Sequence, residues 1–224
     1  MKKIFLISAI LWVAVGCKHG PVLVTKNPGP VQYPAGWQVA ESSDKQVSMG
    51  IAPGWRRGAP GAMNMIDIGT SGMGTEDMSS EGVNRLEKMQ QEEDAKAAAE
   101  LEKKGIIISC IDSSKPIPGE ARTQYKVKRE KKGPMSLEDA TAAAKEGEYG
   151  ASAPTYVEMP IGKVGCLHIT NNLKDGGVVT KIIYVVCNGE DIYTIYFITE
   201  NAPSTIESIA DPVMQSLRIT PAKA

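Results

Sequence analysis

The chain has 224 residues, 42% hydrophobic and 23% charged, an ordinary globular composition long enough for a substantial core in one or two domains. A formal net charge of −1 and a pI near 6.2 leave no basic footprint, which argues against a nucleic-acid-binding protein. Two Phe against seven Tyr and three Trp point to a mostly aliphatic core.

Residues 1–16 read as a signal peptide. Met1-Lys2-Lys3 is a short basic region, and Ile4 to Val15 is an apolar run broken only by Ser8. The run is shorter than the roughly 20 residues a membrane-spanning helix needs, but it fits the apolar part of a secretory leader. It ends at Ala14-Val15-Gly16-Cys17, which resembles a bacterial lipobox, although Ala14 stands where that pattern usually has Leu. The resemblance implies that Cys17 becomes the acylated N-terminus of a lipoprotein. The alternative is plain secretory cleavage, with Cys17 left as a thiol or disulfide partner. Acylation would anchor the protein, because each buried CH₂ contributes about 0.8 kcal/mol and two or more chains hold firmly. Loss of Lys2 and Lys3 with the leader would lower the formal charge from −1 to about −3. Residues 17–35, with Gly20, Pro21, Pro28, Gly29, Pro30 and Pro34, read as the lipidated Cys and a semi-extended tether. Lys18 lacks the Asp of an inner-membrane retention signal, so a diderm cell would place the anchor in the outer membrane, facing the periplasm.

The folded domain is expected over residues 36–221. Trp37–Glu41 and Gln46–Ile51 read as strands around a Ser42–Lys45 turn, with Val47, Met49 and Ile51 facing the core. Pro53-Gly54-Trp55 stops the second strand. Arg56–Gly74 reads as a flexible Gly/Met-rich loop, with a possible short strand at Met63, Ile66 and Ile68. From about Ser80 to Lys104 the sequence is Ala-, Glu- and Lys-rich, with Glu-first i,i+4 pairs and a narrow stripe of Val83, Leu86, Ala97 and Leu101. This predicts a one-sided helix capped at Gly105. Gly105–Ile111 predicts a strand. Arg122–Glu130 predicts another, with Thr123, Tyr125 and Val127 inward and Gln124, Lys126 and Lys128 outward. Its lysine row suits a sheet edge or exposed face. With Arg129, Lys131 and Lys132 it forms a basic cluster, read as a solvated strand with anionic-ligand or headgroup binding as the competing possibility.

A second helix is expected from Ser136 to Glu146, opened by a capping box, and a strand over Val164–Thr170. Val178–Thr199 is the strongest local signal: a hairpin turning at Asn188-Gly189, with Tyr184 opposite Tyr193 and Val185 opposite Ile192. One face carries Ile182, Tyr184, Val186, Tyr193, Ile195 and Phe197. The other carries Val179, Ile183, Val185, Ile192, Tyr196 and Ile198. Two apolar faces place this hairpin mid-sheet with cover on both sides. Ser204–Glu207 reads as the capping box of a last helix, kinked or broken near Asp211 by Pro212.

The segment VSMGIAPGW, the terminal hairpin and the final helix running into Ser216-Leu217-Arg218-Ile219 together resemble the PsbP/Mog1-like superfamily. That resemblance implies an α+β fold: a single domain whose antiparallel β-sheet is covered by helices on both faces, an α/β/α sandwich. It also implies a binding or assembly module, not an enzyme.

Chemistry has few footholds. The two histidines, His19 and His168, cannot build a multi-histidine metal site. Cys166 and His168 share a strand face but supply only two ligands, and packing or ordinary hydrogen bonding is expected of His168. Cys110, Cys166 and Cys187 are read either as three buried thiols or as one thiol plus a Cys166–Cys187 or Cys110–Cys187 disulfide. Met63, Met65, Met73 and Met78 offer thioethers of a type that selects Cu(I), against the plainer reading of a Met-rich loop covering apolar surface. Gly69–Gly74 lacks a P-loop lysine and reads as linker. The sequence therefore predicts a non-catalytic envelope lipoprotein that binds an envelope protein, or alternatively a small ligand or copper through loop 56–74. It predicts no catalytic residues, resident metal or cofactor, and no nucleic-acid partner.

Overall fold

The computed structural model describes residues 33–58, 80–112, 123–174 and 176–220. The leader, Cys17, most of the tether, and the Met-rich stretch with its expected short strand and Gly69–Gly74 lie outside the described residues.

The domain is α+β, with antiparallel sheets flanked by helices. A seven-stranded sheet has the order β3-β4-β5-β9-β8-β7-β6. These strands are β3 (Trp55–Arg57), β4 (Ile106–Asp112), β5 (Gln124–Lys131), β6 (Thr155–Met159), β7 (Gly162–Asn172), β8 (Val178–Asn188) and β9 (Asp191–Glu200). A smaller sheet of order β1-β2-β10 joins Gln38–Glu41, Val47–Ile51 and Arg218–Ile219. The helices are α1 (Ser80–Lys103), α2 (Leu137–Glu146) and α3 (Pro203–Ser216).

The alternating hairpin lies at the centre of the large sheet, and both its faces are covered as its pattern requires. Ile182, Tyr184, Val186, Tyr193, Ile195 and Phe197 enter the larger core, shared with the small sheet and α3. Ile183, Val185, Cys187 and Ile192 enter a second core under Leu137 and Ala140 of α2. An aromatic row crosses the first face: Trp55, Tyr125, Phe197 and Tyr184, with successive ring centroids 5.2, 5.5 and 5.9 Å apart. The Tyr125 hydroxyl donates to the Gly50 carbonyl at 2.8 Å, joining the two sheets.

The turn differs from the expectation. Asn188 pairs with Asp191, so Gly189 and Glu190 are central, and Tyr184 faces Ile195 while Val186 faces Tyr193. Gly189 has φ 67° and Glu190 has no positive φ, as in a turn with Gly at its first central position. The Asn188 side chain donates to the Thr220 carbonyl at 2.9 Å. Moving the turn by one residue changes each pairing sum by two, so every side chain keeps its face.

The expected β1–β2 hairpin, the α1 span and the strands near 106 and 164 are present. Gly105 ends α1 with φ 77°, its N–H donating to the Glu102 carbonyl at 2.9 Å. Ser136 caps α2, accepting from the Asp139 N–H at 3.0 Å. Four readings change. Arg56 and Arg57 continue a strand, β3, instead of opening the loop. The edge strand β6 had no counterpart among the expected elements. Ser204 is not a cap: the N-cap is Ala202 with no side-chain hydrogen bond, because Pro203 occupies the first helical turn. Helix α3 also runs through Pro212 to Ser216 without the break that is one of the two expectations, held by buried Ile206, Ala210, Val213 and Met214.

Candidate functional site

The two faces of the large sheet are closed to different extents. The small sheet and α3 seal one face. On the other face α2 lies over β7 and β8, and the middle strands β5 and β9 floor a groove beside it. Register places the floor side chains. Lys126 pairs across to Tyr196 and Lys128 to Thr194 on β9, and Tyr196 pairs to Ile183 on β8.

Two adjoining hollows of about 320 and 290 Å³ share Lys128, Glu148 and Tyr196. Lys104 and Ile106, at the α1–β4 junction, border one side, and Ala140, Ala143 and Ala144 of α2 form the opposite wall. Alanine keeps that wall low and smooth. Together the hollows are lined by five lysines, Lys104, Lys126, Lys128, Lys132 and Lys181, against two glutamates, Glu130 and Glu148.

These charges are not all paired. Lys181 meets Glu148 at 2.6 Å, and Glu130 takes both Lys128 at 3.2 Å and Lys132 at 3.7 Å. Among the described residues, Lys104 and Lys126 have no carboxylate partner. Lys126 instead places its ammonium 5.1 Å from the centre of the Tyr196 ring, a cation–π contact. Burial, then the Lys181 charge, with a smaller push from Lys128, hold the Lys126 ammonium below its ordinary pKa, while Glu148 works in the opposite sense.

The expected lysine row is thus present, but its setting is not an edge. β5 is an interior strand, and the row is half-buried in the groove beside α2. Arg129 points to the other side of β5 and pairs with Asp44 in the β1–β2 turn, so it does not join the groove. Lys131 is exposed and pairs with Glu190 at 2.8 Å. Lys104 and Lys181 come from other segments, and no local pattern signals that they converge.

Other candidates fare differently. Cys110, Cys166 and Cys187 are buried free thiols, and burial pushes each up to about 11. The disulfide alternatives fail on geometry. Cys187 belongs to the core under α2, whereas Cys110 and Cys166 belong to the core on the opposite face. The remaining pair, Cys110 on β4 and Cys166 on β7, is four strand spacings apart, about 19 Å. His168 is solvent-exposed, not packed, because it sits beyond the covered part of that face. Among the described residues no group of three His, Cys, Asp or Glu could hold a metal. The proposed copper-binding methionines and Cys17 lie outside the described residues. A larger hollow of about 590 Å³ lies between α1 and the β3–β4 edge, against Ala98, Leu101, Ile107 and Ser109. It borders Gly58, beyond which the chain is not described, so its lining is incomplete.

No protein-family model matches the chain, and no curated protein sequence does. Solved structures do match. A crystal structure from Bacteroides thetaiotaomicron aligns at 11% identity with a TM-score of 0.46, covering 82% of this chain but 48% of that one, about half its length. The solution structure of cyanobacterial PsbP from Synechocystis aligns at 11% identity and a TM-score of 0.44, covering 85% of this chain and 96% of its own. LpqN, a protein involved in cell envelope biogenesis of Mycobacterium tuberculosis, aligns at 8% identity and a TM-score of 0.45, covering 83% and 91%. Likeness at this level is one of outline and transfers no residue role. The groove therefore stands on this chain's own residues.

Proposed function

We propose that this protein is a non-catalytic binding module of a bacterial envelope, held to a membrane by acyl chains on Cys17, and that the groove between α2 and the Lys104–Ile106 corner receives its partner. One observation carries the reading. Of the two faces of the central sheet, one is sealed by apolar packing, while the other keeps an open, lysine-lined groove beside α2. A protein that needed only to be stable would gain by closing it. The lining among the described residues offers charge and contact surface, with lysines, two glutamates, alanines and Tyr196, and its Lys181 is held in an ion pair by Glu148. The anchor rests on the leader pattern ending at Cys17. No helix among the described residues is long and apolar enough to cross a membrane.

The test is photo-crosslinking in the native envelope from two positions of the full chain. A photoreactive residue at Ala143, on the groove wall, should give a discrete adduct. The same residue at Glu207, on exposed α3 surface, should not. Equal labelling from both positions, or none from Ala143, would refute the groove as the binding surface.

A further inference from the structure

The groove's chemistry narrows what it holds. An ammonium is a strongly hydrated point charge, and withdrawing it from water without a carboxylate partner is costly. Lys126 is nonetheless half-buried on the floor, with Lys128 and Lys181 near enough to depress its pKa. Like charges gathered around a recess raise the local concentration of anions and are relieved when one binds. Five lysines against two glutamates leave a surplus of positive charge over a short span. Glu130 and Glu148 are already engaged by Lys128, Lys132 and Lys181, so the surplus centres on Lys104 and Lys126.

The donor type separates the possible anions. No arginine lines the groove among the described residues, so no planar fork is present for bidentate carboxylate recognition. Lysines suit a compact, multiply charged acceptor approached from several directions. A phosphate ester fits, carrying about −1.5 to −2 at neutral pH on three oxygens. Ile106 and Ile198 beside Lys126, and the alanine wall of α2, give an apolar border for the body of an ester.

We propose that the groove is a phosphate-ester site centred on Lys126, with Lys104, Lys128 and Lys181 around the phosphate and the alanine wall of α2 against the rest of the molecule. This rests on the groove being the binding surface. The phosphate can belong to a soluble ester or to the headgroup of an anionic lipid, and the chemistry is shared.

The experiment records backbone amide NMR spectra of the full chain in nanodiscs. In phosphatidylcholine nanodiscs, titration with inorganic phosphate and with glycerol 3-phosphate should shift the amides of Lys126, Lys128 and Tyr196 saturably if the source is soluble. In nanodiscs containing phosphatidic acid, a lipid whose headgroup is a phosphate monoester, the same amides should shift without added phosphate if the source is a headgroup. Lys126→Gln should weaken either response at least tenfold, and Lys181→Gln should weaken it in parallel. Lys145→Gln, on α2 but outside the groove lining, should not. Absence of all these shifts, or shifts that survive Lys126→Gln, would overturn the proposal. If the shifts fail while the Ala143 crosslink persists, the groove binds something else. If both fail, the groove itself is wrong.

Discussion

Gly165 on β7 is where α2 comes closest to the sheet, and Gly165→Ala tests how that helix, one wall of the groove, is held. A Cβ built there lies 2.1 Å from Thr141 Oγ1, 2.9 Å from its Cγ2 and 3.0 Å from its Cβ. Thr141 is fully buried, and its hydroxyl donates to the Leu137 carbonyl at 2.6 Å, so the side chain cannot swing aside. Ordinary contact needs about 3.5 Å, so α2 must retreat by more than about 1 Å. Overpacking of this kind costs about 1–3 kcal/mol. The upper half of that range is expected, because one of the clashing atoms is a Cβ fixed to the helix backbone. Thr141→Ala alone should cost about 1 kcal/mol, for a lost methyl and a lost hydrogen bond. In the Gly165→Ala background it removes the two nearest obstructions. The double variant should therefore be more stable than additivity allows by at least about 1 kcal/mol. Urea unfolding of the four proteins at a common m-value measures this. Additivity within about 0.5 kcal/mol would refute the close-approach account.

Asp44 offers a pH test. Burial pushes its carboxyl up, but hydrogen bonds from Ser42, Arg129 and the Gln46 N–H, with the Arg129 charge, outweigh that and hold it at about 2. A depressed folded pKa gives stability that is present above the unfolded value, near 3.9, and lost as pH falls towards 2. Asp44→Asn should thus lower the urea midpoint at pH 6, and the gap to wild type should close between about pH 4 and 2. A gap that stays constant over that range would contradict the assignment. Cys110, Cys166 and Cys187, each pushed up to about 11 by burial, should resist a thiol reagent at pH 8 in the native protein and react on unfolding in urea. Fast labelling of any of them without denaturant would contradict their burial. Cys17→Ser should abolish acylation and release the protein from membrane fractions, and unchanged retention would count against the lipid anchor.

Side-chain alternation made the faces of the large sheet legible. In Val178–Thr199, and in Thr123, Tyr125 and Val127, the period of two assigned each residue to a side, and burial bears that out. Register was less legible, because turns centred one residue apart leave every face unchanged, so the pattern cannot choose between them. Asn188 decides it: a turn centred on Asn188-Gly189 needs positive φ at both, whereas Asn188 has no positive φ and pairs with Asp191. The edge strand β6 escaped because Thr155–Met159 is largely exposed and so carries little apolar alternation. The groove was only partly legible. Outward-facing Lys126 and Lys128 were visible in the sequence, but whether outward meant solvent or a recess depended on where α1 and α2 came to rest. Lys104 and Lys181 reach the same place from distant segments, and no local pattern encodes that meeting.

The strand order also sets a timetable for folding. β7, β8 and β9 pair with sequence neighbours across short turns, so their loop-closure cost is small and they can form early. β2 can pair early with β1, but its other edge waits for β10, whose Ile219 pairs with Val47 across nearly the whole domain. Likewise the Gly50 N–H bonds to Ser216 Oγ at 2.7 Å. Strands near the beginning of the domain are therefore stitched in by its final residues. A chain released N-terminus first can form local hairpins early, but the small sheet is completed only when its last strand has emerged. Loss of the last strand should accordingly be felt first in β1 and β2, at the far end of the sequence.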